Sequence, residues 1–289
     1  MLNFFAKVFG YILYGIYFVC KNYGLAIIIF SFLLKLIMLP LSIKQQKTLK
    51  KNEKLQKEIK IIQVKHKGNT EKINQEIMEL YKREKINPFS GCLSGIIQII
   101  LIISMFILVK SPLTFMTKVD KTSIDNQIET LKMENYSVSA QYPEMSIIKY
   151  LKDNGKTESN MYINMDFLGL DLSEVPQENY KDIKVFIIPV LYVISSIISI
   201  KFTTMSTKKK VDDEGNKDKN SSGEKEFDQA EMTEQMNKNM SLMMPILSVS
   251  ISLVAPLGLA LYWLVNNLIM IAERLILNKI ISKEDNENA

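Results

Sequence analysis

Long apolar runs that alternate with lysine-rich polar stretches constrain this chain more than any other feature of its sequence. A helix that crosses a membrane needs about 20 mostly apolar residues, and its backbone polar groups must be paired within the segment. The 289-residue chain meets this condition several times. Its mean hydropathy is near neutral, at +0.05, only because the apolar and charged stretches cancel. The pattern therefore predicts an all-α integral membrane protein.

Five transmembrane helices account for the apolar runs. The last run, residues 242–280, is too long for one span, and Pro256-Leu257-Gly258 interrupts it, so a tight turn there yields two spans. In chain order, the predicted segments are an interfacial helix (1–22), span one (23–43), a cytoplasmic helical hairpin (44–88), span two (89–110), an outside loop (111–183), span three (184–202), a cytoplasmic flexible linker (203–239), span four (240–255), span five (256–280) and a cytoplasmic tail (281–289).

The distribution of lysine predicts the orientation of these spans. Cytoplasmic loops of membrane proteins carry an excess of Lys and Arg. Residues 44–85 contain thirteen Lys or Arg against six Glu, whereas residues 110–184 contain nine Lys against twelve Asp or Glu. The first segment is therefore expected in the cytoplasm and the second outside, which puts the N-terminus outside and the C-terminus inside.

Residues 2–20 leave three interpretations open: a signal peptide, a sixth span, or a helix lying in the outer interface. No small-residue cleavage site precedes Lys21-Asn22, and a sixth span would leave only three linking residues before span one. Aromatic residues at intervals along the segment suit interfacial depth. They are Tyr11, Tyr14, Tyr17 and Phe18. We therefore favour the interfacial helix.

The polar segment after span one has the apolar spacing of two amphipathic helices joined by a turn at Gly68. The residues that set the spacing are Leu55, Ile59 and Ile62, then Ile73, Ile77 and Leu80. The hairpin is either a solvated link between two spans or a docking arm for anionic lipids, the ribosome or an incoming chain. For residues 126–151 of the outside loop, helix and strand remain equally open.

Lys35 is the sharpest single signal, because it lies inside span one. A lysine at the centre of a membrane helix costs about 2.5–3.5 kcal/mol on insertion scales. The other predicted spans contain no Asp or Glu before Glu273. Partial snorkelling or a structural ion pair would explain Lys35 without a function. The alternative is a wet intramembrane cavity, which makes Lys35 a candidate functional residue.

Polar residues in the other spans could line such a groove, although residues of this kind often only join helices together. The candidates, with Lys35, are Gln98, Ser195, Ser196, Ser199, Trp263, Asn266 and Asn267. The single histidine, His66, and the two cysteines, Cys20 and Cys92, argue against histidine-based metal sites, catalytic triads and a disulfide framework. We therefore predict no catalytic residue, metal or cofactor.

Several motifs resemble the YidC/Oxa/Alb family of membrane insertases. They are Gly24-Leu25-Ala26-Ile27 through Lys35-Leu36-Ile37-Met38-Leu39-Pro40-Leu41, then Asn87-Pro88-Phe89-Ser90-Gly91-Cys92, then Phe167-Leu168-Gly169-Leu170-Asp171-Leu172, and finally Met243-Met244-Pro245 with the run from Pro256 to Asn267. The resemblance covers all five spans and the hairpin. Lys35 stands at a family position that is usually arginine. Ser94, Ile100 and Ile200 also depart from the family pattern.

The resemblance implies a five-helix core whose groove opens to the cytoplasm and to lipid but is closed to the outside. It further implies a bacterial plasma membrane protein, not an enzyme, that inserts nascent membrane proteins or acts as their chaperone. Its partners would include the ribosome, the Sec translocon and anionic lipids, without recognition of nucleic acid sequence. A small transporter or channel, which would also bury Lys35 in a wet cavity, is the alternative.

Overall fold

The computed structural model describes residues 2–66, 68–84, 90–208 and 249–287, and most of these residues are helical. The helices are α1 (Leu2–Cys20), α2 (Tyr23–Lys65), α3 (Thr70–Arg83), α4 (Ser90–Lys110), α5 (Lys121–Met133), α6 (Pro143–Asp153), α7 (Ile187–Lys208), α8 (described from 249 to 254) and α9 (Leu257–Glu287). A π-helical turn covers Leu113–Thr117, a 3-10 turn covers Ile183–Phe186, and strands β1 (Asp166–Phe167) and β2 (Leu170–Asp171) form one hairpin.

Two compact units divide the chain. The first contains residues 1–37, 97–196 and 247–270, and the second contains residues 38–96, 197–246 and 271–289. Four described helices meet the length and composition needed to cross a membrane: Leu2–Cys20, Tyr23–Thr48, Ile183–Lys201 and Leu257–Leu277. The class of all-α membrane protein is therefore confirmed. Since α1 also has the length of a span, its interfacial placement and the count of five spans stay predictions.

Helix α1 packs within the first unit through one narrow face. Its buried residues recur at helical spacing, and they are Ala6, Phe9, Gly10 and Leu13. A Cβ atom on Gly10 would overlap the carbonyl oxygen of Phe115, so only glycine allows this approach. The Lys118 ammonium lies 3.4 Å from the centre of the Tyr11 ring, a cation–π contact. Helix α1 is thus docked on the loop that follows α4.

The second unit contains a helical hairpin at the position where the sequence predicts one. Helix α2 continues without a break from span one into the first arm and ends at Lys65, so the predicted boundary at residue 43 is not a helix end. The side chain of Asn69 caps α3 by accepting from the backbone N–H of Lys72 at 3.0 Å. Three buried residues, Leu55, Ile59 and Leu80, form the apolar seam between the arms.

The long loop, residues 111–186, contains two helices in the part of the sequence where helix and strand were equally open. They are α5 and α6, and residues 134–142 between them are not helical. Local patterning failed here because both helices bury their apolar faces in the first unit, whose core residues come from distant parts of the chain.

A buried carboxylate, Glu144, holds the start of the loop. It accepts from the backbone N–H groups of Leu113 and Thr114 at 2.7 and 3.2 Å, and from the Thr114 hydroxyl at 2.6 Å. Glu144 is only 5% exposed. Burial raises the pKa of the Glu144 carboxyl above its usual value, although the three hydrogen bonds oppose that rise.

An ion-pair network ties α6 to the β-hairpin. The Lys152 ammonium donates to Asp166 and, at 2.7 Å, to Asp171. Burial alone lowers the pKa of Lys152, but its two carboxylate partners outweigh burial and raise it. Burial raises the pKa of Asp171, but the hydrogen bonds from Lys152 and Ser173 outweigh burial. The pKa of Asp171 is therefore below its usual value.

Helices α8 and α9 are separated by Ala255 and Pro256, where the sequence predicts a tight turn. The long loop caps the free N–H groups at the start of α9: Leu257 donates to the Glu174 carbonyl at 2.8 Å and Gly258 to the Leu172 carbonyl at 2.9 Å. Residues 203–208 of the predicted linker are helical, because α7 continues to Lys208. The rest of that linker and the start of predicted span four lie outside the described residues.

Candidate functional site

Lys35 lies in the middle of the apolar part of α2. It is twelve residues from Tyr23 at the helix start, which corresponds to about 18 Å at 1.5 Å per residue. Its side chain is half-buried and takes part in at least one further interaction. The neighbouring apolar side chains are exposed on the protein surface, and they are Phe32 (54%), Leu33 (41%), Leu36 (49%) and Ile37 (70%).

A polar contact joins α7 to α9. The side-chain amide of Asn267 donates to the hydroxyl of Ser195 at 2.9 Å and to that of Ser196 at 3.3 Å. All three residues are buried, and the Ser195 hydroxyl donates in turn to the Tyr192 carbonyl at 2.8 Å. We call Ser195, Ser196 and Asn267 the serine–asparagine clasp. The structure thus brings together three of the predicted groove residues.

One turn before Asn267, Trp263 is 5% exposed, and its ring centre lies 6.0 Å from that of Tyr192. The two rings are tilted by 35°, an offset arrangement that aromatic pairs favour. The indole N–H has no acceptor among the residues that the structure describes. Asn266 is half-buried. Trp263 therefore packs α9 against α7 next to the clasp.

The remaining predicted residues are placed less fully. Ser199 is 8% exposed and belongs to the second unit. Gln98 lies in α4, and its side chain is outside the described part of the structure. In the first unit, Lys35 comes two residues before the unit ends on α2, and Ser196 is the last residue of the unit on α7.

Other serines in the apolar helices have a purely local role. The hydroxyls of Ser31 and Ser104 donate to carbonyls four residues earlier, at 2.8 and 2.7 Å, and that of Ser252 donates to the Val249 carbonyl at 2.7 Å. This back-bonding satisfies a buried hydroxyl without a second helix. Such serines cannot be distinguished from Ser195 by sequence alone.

The long loop closes one end of the first unit, a feature that the residue patterns do not predict. The Tyr23 N–H donates to the Asn164 carbonyl at 2.9 Å, and the Asn22 amide donates to the Asp166 carbonyl at 2.6 Å. The Asn164 N–H donates to the Tyr17 hydroxyl at 2.9 Å. Most of these groups are backbone atoms, so side-chain chemistry in the sequence carries no signal for them. Within the described residues no group of His, Cys, Asp and Glu is arranged to hold a metal ion.

Part of the chain is similar in sequence to several curated proteins. The proteins named "Membrane protein insertase YidC" from Francisella tularensis subsp. novicida, subsp. tularensis and subsp. mediasiatica are each 42% identical over 106 residues. That segment is 37% of this chain and 19% of each relative, so the match spans about a fifth of the relatives' length.

A family model covers far more of the chain. The model described as "60Kd inner membrane protein" matches residues 15–285, which run from within α1 to within α9 and include the clasp. Together with its apolar helices, this match identifies a multi-pass protein of the bacterial cell membrane. The chain belongs to the 60Kd inner membrane protein family, which is the YidC/Oxa/Alb family that its motifs resemble.

Proposed function

We propose that this chain is a membrane protein insertase that moves a hydrophilic client segment past the apolar layer and releases the adjoining apolar helix into lipid. Membership of the YidC/Oxa/Alb family supports this function over a transporter or channel. The single observation that carries the mechanism is a half-buried cation, Lys35, about 18 Å along an apolar helix. An intramembrane lysine of this kind is a candidate functional site by default.

The charge on Lys35 lowers the cost of holding an acidic client segment at membrane depth. Two unit charges about 4 Å apart attract by roughly 4 kcal/mol at an effective dielectric of 20. An aspartate at the centre of a membrane helix costs about 2.5–3.5 kcal/mol. The two energies are comparable, so one lysine is enough to offset one client carboxylate. The groove lining with Lys35 would be a polar layer of the first unit that contains Gln98, Ser195, Ser196, Trp263, Asn266 and Asn267.

The serine–asparagine clasp supplies exchangeable hydrogen bonds in this layer. Hydrogen bonds between membrane helices contribute only about 0.6–2 kcal/mol each. The contacts from Asn267 to Ser195 and Ser196 are therefore weak enough to be replaced by the polar backbone or side chains of a client. The closed end formed by the long loop would stop the polar path from becoming an open pore.

The client's apolar helix leaves along an exposed apolar face of α7. Its side chains recur at three- and four-residue spacing and are 45–53% exposed: Ile187, Val190, Leu191 and Ile194. Transfer of apolar surface to lipid, at about 25 cal/mol per Å², drives the release. The expected partners are nascent membrane proteins, with the ribosome, the Sec translocon and anionic lipids at the helical hairpin. The N-terminus would lie outside and the C-terminus in the cytoplasm.

Replacement of Lys35 tests the mechanism. We expect Lys35→Arg to keep insertion of a single-span client with an acidic outer tail, Lys35→Ala to slow it by about tenfold, and Lys35→Glu to slow it more. Protease protection of the client tail in proteoliposomes is the measurement. Lys44→Glu, an exposed site on the same helix, is the matched control. Insertion by Lys35→Glu at the rate of Lys35→Arg would contradict the charge mechanism.

A further inference from the structure

A crevice in the first unit lies between α4, α8 and α9. Its volume is about 470 Å³, within the range of roughly 300–1,000 Å³ that is usual for small-molecule sites. Its walls are apolar and one end is polar. The walls are Ile102, Ile103 and Phe106 of α4, Ile251 and Val254 of α8, and Trp263 of α9; the polar end is Lys110, Gln141 and Tyr142.

The polar end coincides with the ends of the helices. Lys110 is the last residue of α4, and Val254 is the last helical residue of α8. Ile102 lies eight residues deeper, which is about 12 Å along α4. The Tyr142 hydroxyl donates to the Val254 carbonyl at 2.9 Å and so connects the long loop to the end of α8. The crevice therefore has a polar mouth and an apolar interior, which match the polar head and apolar chain of an amphiphile.

The charge at the mouth is positive. Lys110 and Gln141 are exposed, and Lys110 makes no ion pair with any residue that the structure describes. Glu178, the carboxylate that faces Tyr142, is engaged by the Ser139 hydroxyl at 2.8 Å and does not line the crevice. A lysine at the end of a membrane helix attracts anionic lipid headgroups.

The volume of the crevice suits a lipid acyl chain and is too small for a client helix. An α-helix about 10 Å across would occupy roughly 900 Å³ over a 12 Å length, about twice the volume of the crevice. A single extended acyl chain is much thinner. Ile103 and Val254 are 38% and 37% exposed, so the crevice is open along its side. Trp263 also leaves an indole N–H without an acceptor among the described residues.

We propose that this crevice binds one anionic phospholipid, with an acyl chain along α4 and α8 and the phosphate at Lys110 and Gln141. The lipid belongs to the leaflet on the side of the long loop. An ester carbonyl of the lipid is an acceptor of the kind that the indole N–H of Trp263 lacks. The crevice shares Trp263 with the proposed groove lining, but neither Lys35 nor the clasp lines it, so variants of Lys110 and of Lys35 test the two proposals separately.

The sequence provides its own probe, because Trp263 is its only tryptophan. The full chain is reconstituted in phosphatidylcholine vesicles that contain a minor fraction of one brominated lipid. This lipid is either phosphatidylglycerol or phosphatidylcholine, in each case with bromine on the acyl chain. Bromine quenches tryptophan fluorescence on contact. We expect brominated phosphatidylglycerol to quench Trp263 more strongly than brominated phosphatidylcholine. Lys110→Glu should reduce this preference by about fivefold, and Lys110→Gln should reduce it less.

Two matched controls locate the effect. Lys121→Glu, at an exposed lysine of the long loop, should keep the preference. Ile103→Phe narrows the crevice and should reduce quenching by both lipids, whereas Ile99→Phe, one turn away and similarly exposed, should not. Equal quenching by the two lipids in the wild type, or an unchanged preference in Lys110→Glu, overturns the proposal. Recovery of fluorescence when an apolar client peptide is added would assign the crevice to clients instead.

Discussion

The long loop and the helical hairpin are both polar segments between apolar helices, yet they are held together in different ways. The loop buries a carboxylate, Glu144, whose partners lie about 30 positions earlier, and contains a partly exposed lysine, Lys152, that pairs with Asp166 and Asp171. The hairpin has a thin apolar seam and surface ion pairs, such as Arg83 with Glu58 at 2.6 Å, whose side chains are 64% and 48% exposed. Exposed ion pairs contribute little to stability. The loop is therefore held by hydrogen bonds to a buried carboxylate, whereas the hairpin depends on a thin apolar seam and on exposed ion pairs.

The largest test of this contrast concerns the approach of α1 to the loop. Gly10→Ala places a Cβ atom against the backbone carbonyl of Phe115, and we expect it to lower the free energy of unfolding by about 2–3 kcal/mol. Gly15→Ala is the matched control, because a Cβ there meets no atom and alanine favours a helix by about 1 kcal/mol. Denaturation in mixed micelles, followed by Trp263 fluorescence, is the measurement. Equal stability of the two variants would mean that α1 is not docked on the loop.

A second test compares one carboxylate from each segment. Glu144→Ala removes the acceptor of two backbone N–H groups in the loop, and we expect a loss of about 2 kcal/mol in the same denaturation. Glu58→Ala removes only an exposed partner of Arg83 in the hairpin and should leave stability unchanged. A larger loss at Glu58 than at Glu144 would reverse the contrast between the two segments.

The smallest expected effect is the response of the loop to acid. The pKa of Asp171 is lowered in the fold, so its stabilising contribution is complete above the ordinary aspartate value of about 3.9 and is lost as pH falls through the lower, folded value. Asp171→Asn should remove about 1 kcal/mol of stability at neutral pH and flatten the acid dependence. The measurement is chemical denaturation as a function of pH. Asp125→Asn, at an exposed site on α5, should retain the wild-type acid dependence, and the same flattening in both variants would exclude a specific role for Asp171.

Local patterns in the sequence predict the membrane class, the hairpin position and the turn at Pro256. Lipid offers no hydrogen bonds to the backbone, so a span must be a continuous apolar helix, and that condition can be read from consecutive residues. Lys35 stands out for the same reason, because its cost depends on the apolar residues beside it. The family motifs then assign a candidate role to Lys35, a role that remains a proposal.

Tertiary structure alone decided the rest. Glu144 is one of twelve acidic residues in a loop that the sequence describes only as long and polar, and its burial depends on Leu113 and Thr114, about 30 positions earlier. Asn267 is hydrogen-bonded to Ser195, 72 positions away, and Asn164 is hydrogen-bonded to Tyr17, 147 positions away. Hydrogen bonds at such separations leave no periodic trace in the sequence, because they depend on how distant segments pack. The sequence therefore determined the all-α membrane class, and the packing determined how the long loop closes the first unit and which polar residues meet.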